Sequence, residues 1–318
     1  GGLTGSGADA VVEVGSGGLW MGDANGASAG GRSILYLSNG TVRSTVPLND
    51  HLIGGGVGGT GATRATIEVS GGLLDFQNGS LFLGNRTAMH GELLISGGTV
   101  LVNRLRLPAG DSDQSSTGTV QLSGGVLYLG GLESAGKSVN SRSNVWLSGG
   151  TIRELANFTT SLNMELLTSP GPGVLTFDIQ TNVVQLAGVL SGPGGLRKTG
   201  AGTLMLHAVN TYAGGTVVSS GVLAVQNRSG AGTGSGAVSL RTGGVLAGTG
   251  SVSTVSLGGG VLNPGYQANY VGSLLAGTMV WTSGVYRWEV QDFATTNWDS
   301  LISTGALTFA SGVSTVQV

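Results

Sequence analysis

Cysteine is absent from this sequence, which removes disulfide bridges and thiolate metal sites. That absence does not imply the cytosol, because a fold whose coils close their own backbone hydrogen bonds needs no covalent staple. Charge is also scarce. Asp, Glu, Lys and Arg make up 9% of the residues, against about a quarter in ordinary domains, so Ser, Thr, Asn and Gln must supply the polar surface. The net charge is −2, lysine occurs only at Lys137 and Lys198, and the twelve arginines are scattered along the chain. No basic stripe is visible to release counterions from a phosphate backbone, so nucleic acid is not an expected partner. No apolar run reaches the length of a membrane-spanning helix and no basic amphipathic helix is present, so direct membrane insertion by this segment is not expected. Proline is limited to 6 residues and no Gly-X-Y period occurs, which excludes collagen.

What is abundant is glycine, at 62 residues, beside a hydrophobic content of 40% that is too high for a disordered glycine-rich linker. The glycines punctuate a repeat. A short alternating run ending in Val, Ile or Leu is followed by Ser-Gly-Gly or a close variant and then by a second alternating run. Examples are Thr66-Ile67-Glu68-Val69-Ser70-Gly71-Gly72-Leu73-Leu74 and Val120-Gln121-Leu122-Ser123-Gly124-Gly125-Val126-Leu127. The motif serines stand at 16, 38, 70, 96, 123 and 148, and a further short run such as Leu81-Phe82-Leu83 sits between motifs. Each period of about 25 residues thus holds about three strands. Alternation sends every second side chain inward, glycine pairs permit the sharp corners, and each coil buries its apolar side chains only against its neighbours. The expected fold is all-β, a right-handed parallel β-helix or three-sided β-solenoid. Gly-Gly is also hairpin chemistry, so an antiparallel meander or propeller is the other reading of the same motif. Residues 153–180 are less regular, with a weak helical look over Arg153–Leu167 and a turn or strand as the alternative.

From Gly194 the chain reads Gly-Gly-Leu-Arg-Lys-Thr-Gly-Ala-Gly-Thr-Leu-Met-Leu to Leu206, then Asn210-Thr211-Tyr212-Ala213-Gly214-Gly215-Thr216, then a strand and Gly221-Val222-Leu223-Ala224-Val225. This segment, 194–225, resembles the autotransporter-associated β-strand repeat, also called the passenger-associated transport repeat. Asp299-Ser300-Leu301-Ile302-Ser303-Thr304-Gly305 resembles the closing segment of such proteins. The upstream half matches only the general style. The resemblance implies a parallel β-helix displayed outside a Gram-negative bacterium, with a repeat tied to folding and export and with no catalytic residues. The opening Gly1-Gly2-Leu3 reads as part of a longer precursor, and no outer-membrane barrel follows within the 318 residues.

Catalytic and metal chemistry find little support. Carboxylates are thinly spread, and the nearest pair, Asp111 and Asp113, makes a weak Ca²⁺ candidate in what otherwise reads as a solvated loop. His51, His90 and His207 share no metal-ligand spacing. No cofactor and no catalytic residue is expected. Aromatic residues are the clearest asymmetry, since eight of seventeen lie in 264–318. The expected organisation is a solenoid over 1–263 and aromatic-rich terminal coils over 264–318 that act as a cap or an assembly segment. The expected assembly residues are Trp281, Tyr286, Trp288 and Trp298, together with Val12 and Val14 at one end and Val316 and Val318 at the other. The leading functional expectation is a subunit of an extracellular fibre or layer built from copies of itself end to end. The alternatives are a monomeric passenger adhesin that binds host, matrix or glycan through loops 54–63 and 107–118, and a polysaccharide-active enzyme.

Overall fold

The computed structural model describes residues 4–5, 10–16, 18–22, 31–45, 50–54, 64–84, 89–108, 115–134, 141–266, 271–292 and 297–310. The chain forms two compact units, Gly1–Met164 with Ser169–Pro172 and Glu165–Thr168 with Gly173–Val318. Among the described residues no helix occurs. The named strands stack in parallel, coil upon coil, and the exception among them is a short antiparallel pair, Val290–Asp292 with Asn297–Trp298. The fold is therefore a parallel β-helix, and the meander and propeller readings are overturned. The weakly helical stretch resolves into strands Phe158–Thr160 and Met164–Leu166.

In unit 1 the first face stacks Arg32–Leu37, Arg64–Val69, His90–Ile95, Thr117–Leu122 and Arg142–Leu147 in register. Alternation decides which side chains point inward. Leu37, Val69, Ile95, Leu122 and Leu147 form one apolar ladder, and each is no more than 3% exposed. Each such side chain contributes about 1.5–3 kcal/mol when buried, and only stacking of coils buries it. The Ser-Gly-Gly corners follow. Their second glycine takes the left-handed conformation, with φ of 70° at Gly72, 68° at Gly98 and 69° at Gly125. The backbone ladder continues through the corners, since the amides of Ser70, Ser96 and Ser123 donate to the carbonyls of Leu37, Val69 and Ile95.

The second and third segments of a coil are joined differently from the first two. Leu73–Leu83 and Thr99–Arg106 each run through both segments as one strand, and their pairing shifts register between Val102 and Arg104. The third side of the coil is thus made at a bulge rather than at a glycine corner. Inside, Leu81, Leu105 and Leu132 continue a ladder that His51 begins.

Unit 2 uses shorter and less even coils. One ladder runs Leu175, Leu196, Thr216, Val238, Val255, Met279 and Leu307. A parallel one runs Phe177, Lys198, Val218, Leu240, Leu257, Trp281 and Phe309. The strand Val255–Pro264 passes through position 263 and coil pairing continues to Leu307–Phe309.

Candidate functional site

The segment 194–225 is where polar side chains enter the core. Gly195–Thr199 alternates with Leu196 inward, so Lys198 points inward as well, between Phe177 and Val218. Lys198 is 0% exposed. A buried ammonium must have its charge and its three N–H groups satisfied. Its Nζ donates to the carbonyls of Thr199 at 2.5 Å, Gly200 at 2.8 Å and Ser220 at 3.3 Å. The first two carbonyls lie at the corner of its own coil and the third at the corner of the next, so one side chain stitches two corners together.

Asn210 does the same across three coils. Its Oδ1 accepts from the Leu190 amide at 2.7 Å, and its Nδ2 donates to the Gly232 carbonyl at 2.6 Å. Asn227 repeats the device, since Nδ2 donates to the carbonyls of Ser229 and Gly230 and Oδ1 accepts from the Ser251 amide. Tyr212 is fully buried and its hydroxyl pairs with that of Thr216 at 2.6 Å. Burial pushes its phenol well above the ordinary value, opposed by that hydrogen bond. Thr199 Oγ1 and Gln180 Nε2 both donate to Asp178 Oδ1. His207 meets Gln185 side chain to side chain at the surface. These polar side chains spend their hydrogen-bonding capacity on the coil's own backbone and neighbours, which is structural chemistry.

A family model for the passenger-associated transport repeat matches residues 196–225. The chain carries a passenger-associated transport repeat. The match starts two residues before the buried lysine and includes Asn210 and Tyr212, so three of the buried polar side chains described above lie within it. The chain is also 35% identical over 107 residues to an adhesin autotransporter, BmaC, of Brucella suis biovar 1 (strain 1330). That alignment covers 32% of this chain and 3% of the relative, so the chain spans only a small part of that protein's length. No solved structure matches the chain. The transport repeat and the adhesin relative place the chain outside the cell or at its surface in a Gram-negative bacterium.

The aromatic segment continues the ladders of unit 2. Trp281 and Tyr286 stand where Leu257 and Leu262 stand one coil earlier. Trp281 packs on Phe309 with ring centroids 5.8 Å apart. The strand Met279–Tyr286 ends before Trp288, whose indole nitrogen instead donates to the Asp299 carbonyl at 2.7 Å. Trp288 and Trp298 are 41% and 38% exposed. Asp299 is buried, and its carboxylate accepts from the amides of Gly272 at 2.8 Å and Glu289 at 3.1 Å. Burial raises its pKa above the usual carboxylate value, with the two amides pulling the other way. Tyr286 is pushed up to about 12, first by burial and then by the nearby Asp299 charge. Asp299 is therefore a latch between its own coil and the preceding one, a role that composition alone did not reveal.

At the other end, Val11–Val14 pairs with Thr41–Ser44 along one edge, which places Val12 beside Val42 and buries Val14 to 8%. Val316, Val318, Asp111 and Asp113 lie outside the described residues, as do positions 55–63 and 109–114 of the two loops. Among the described residues, no three His, Asp or Glu side chains gather as a metal site.

Proposed function

We propose that the chain is a non-catalytic, adhesive segment of an autotransporter-type surface passenger, with a β-helix that holds outward faces for contact with other surfaces. The observation that carries this reading is the division of labour inside the coils. Apolar ladders and backbone-directed polar pins use up the interior, which leaves the outward strand faces free to make contacts. The adhesin relative supports the same reading. The test is attachment of beads coated with the 318-residue chain to epithelial cells and to matrix-coated plates. Saturable attachment above that of albumin-coated beads is expected, and attachment no better than albumin would overturn the adhesive reading.

A second reading, end-to-end association of copies, is favoured by one observation. Leu307 and Phe309 occupy inward ladder positions yet are 47% and 52% exposed. An apolar rung left exposed in this way is a surface on which another coil can stack. Sedimentation velocity over a concentration series tests it. Growth that is abolished by Leu307→Asp with Phe309→Asp supports it, and a single monomeric species at the highest attainable concentration refutes it.

A further inference from the structure

The arginines that look scattered along the sequence come into register on the first face of unit 1. The residue that opens each strand there is Arg32, Arg64, His90, Thr117 and Arg142 in successive coils. Three of the chain's twelve arginines and one of its three histidines thus share one outward row, and all four are exposed. Arg32 lies directly beside Arg64, an arrangement that opposes folding unless an anion relieves it. Arg64 finds one in Glu92, at 2.6 Å. Among the described residues, neither Arg32 nor Arg142 has a carboxylate within ion-pair distance.

Four residues along each strand, about 13 Å away, runs a second outward row that begins at the exposed Tyr36 and ends at the half-buried Trp146. Between the rows stand Ile34, Thr66, Glu92, Thr119 and Asn144; Thr66 and Thr119 are buried to 3% and 4%, and the Glu92 carboxylate accepts from Arg64 and Thr66. The result is a face with a basic wall on one side and, on the other, a wall that carries an aromatic ring at each end. Rungs repeat every ~4.8 Å, about the advance of one sugar ring in an extended polysaccharide. Duplex DNA carries its charge much more densely, at one per ~1.7 Å of axis, and fits a single row of guanidinium groups poorly.

We infer that this face binds a linear acidic polysaccharide, whose carboxylate or sulfate groups pair with Arg32, His90 and Arg142 while its rings rest on Tyr36 and Trp146. Glu68, in the aromatic row beside Tyr36, sets the orientation by turning the acidic edge of the ligand toward the basic wall. The inference rests on the adhesive reading and names its ligand class.

Binding of the 318-residue chain to immobilised polygalacturonate, heparin, neutral dextran and duplex DNA tests it, with wild type, the double variant Arg32→Gln/Arg142→Gln and Tyr36→Ser compared over a salt series. Wild type is expected to bind at least one acidic polysaccharide and not dextran; polygalacturonate and heparin separate carboxylate from sulfate preference. The double variant is expected to lose at least ~10-fold in affinity and to reduce the log–log salt slope by about two. Tyr36→Ser is expected to lose affinity with the salt slope unchanged. Binding to neither polysaccharide, or binding that the double variant leaves intact, overturns the inference. DNA bound as tightly as polysaccharide with no effect of Tyr36→Ser also overturns it, since it marks generic attraction of polyanions. The bead assay separates the two readings. Attachment that survives the double variant sinks the polysaccharide reading and leaves adhesion standing, whereas polysaccharide binding by a chain that attaches to no cell or matrix sinks the adhesive reading alone.

Discussion

Asn210 offers a clean test of the idea that the transport repeat is a set of pins between coils. Its side chain makes two buried hydrogen bonds to backbone, one in the preceding coil and one in the following coil, at 2.7 Å and 2.6 Å. Asn210→Leu keeps the branching of the side chain and leaves the Leu190 amide and the Gly232 carbonyl bare. Each orphaned buried group costs about 1–3 kcal/mol, so the expected loss is about 4 kcal/mol for the pair. Asn210→Asp keeps the acceptor for Leu190 but replaces the donor with an oxygen that faces the Gly232 carbonyl. It should therefore cost at least as much as Asn210→Leu at neutral pH and recover part of the loss in acid, when the carboxyl becomes a donor. Native-state hydrogen exchange is the direct assay, because a repeat stack opens locally. Protection of the Leu190 amide should fall by roughly 10³-fold, since 1.4 kcal/mol is tenfold, while strands of unit 1 keep theirs. A change below about 0.5 kcal/mol at Leu190 in both variants would refute the reasoning.

Lys198→Met leaves the carbonyls of Thr199, Gly200 and Ser220 without their shared donor, and a loss of about 3 kcal/mol is expected in urea denaturation of unit 2; a variant as stable as wild type contradicts the pin. Gly98→Ala is expected to cost about 3 kcal/mol or more, because φ is +68° and the new Cβ would lie 2.6 Å from the Gly71 carbonyl carbon. Gly15→Ala, where a Cβ meets nothing within 4 Å, should stay within about 0.5 kcal/mol, and equal effects at both sites would remove the corner argument. His51 accepts from the Leu19 amide through Nδ1 at 3.0 Å and stacks on Phe76 at 3.8 Å, and burial lowers its pKa from 6.5 to about 4. Its folded value lies below its unfolded value, so stability is full above about pH 6.5 and falls as pH drops toward 4, by about 3 kcal/mol in all. Thermal melts of His51→Gln should lack that step, and an identical pH profile would refute it. Asp299→Ala should release the amides of Gly272 and Glu289, cost about 3 kcal/mol and raise proteolysis after residue 271, whereas unchanged proteolysis would deny it the latch.

Much of the fold was legible because two periods coincide in the sequence. Alternation of two identifies inward residues such as Leu93 and Ile95, and the Ser-Gly-Gly spacing identifies the coil. The third side was harder, since the bend in Leu73–Leu83 falls at Gln77-Asn78 rather than at a glycine pair. The burial of Lys198 could have been read from the same alternation, because it stands two residues after the inward Leu196. Charge hides that signal, as a lysine is ordinarily assigned to the surface. The basic row escaped for a different reason. Arg32, Arg64 and Arg142 stand 32 and 78 residues apart, and uneven coil lengths conceal a coincidence that only strand register exposes.

Polar residues in this chain therefore work in two distinct ways, and their surroundings decide which. Inside unit 2, Lys198, Asn210 and Asn227 face backbone groups that have no water to turn to, and each makes at least one bond that fixes its coil against a neighbouring one. A stack held by apolar ladders alone could slide, because Leu, Val and Ile at successive rungs are nearly interchangeable, and a slip of one residue would send the inward set to the outside. An asparagine that needs one particular amide and one particular carbonyl permits a single register. The cost of placing an ammonium or an amide in the core is thus offset by specificity that aliphatic side chains do not supply. On the first face of unit 1, the arginines make few bonds within the coil and leave their donors toward solvent. Interior polarity sets the register of a β-helix, and that register is what allows residues far apart in sequence to form one row on an outward face.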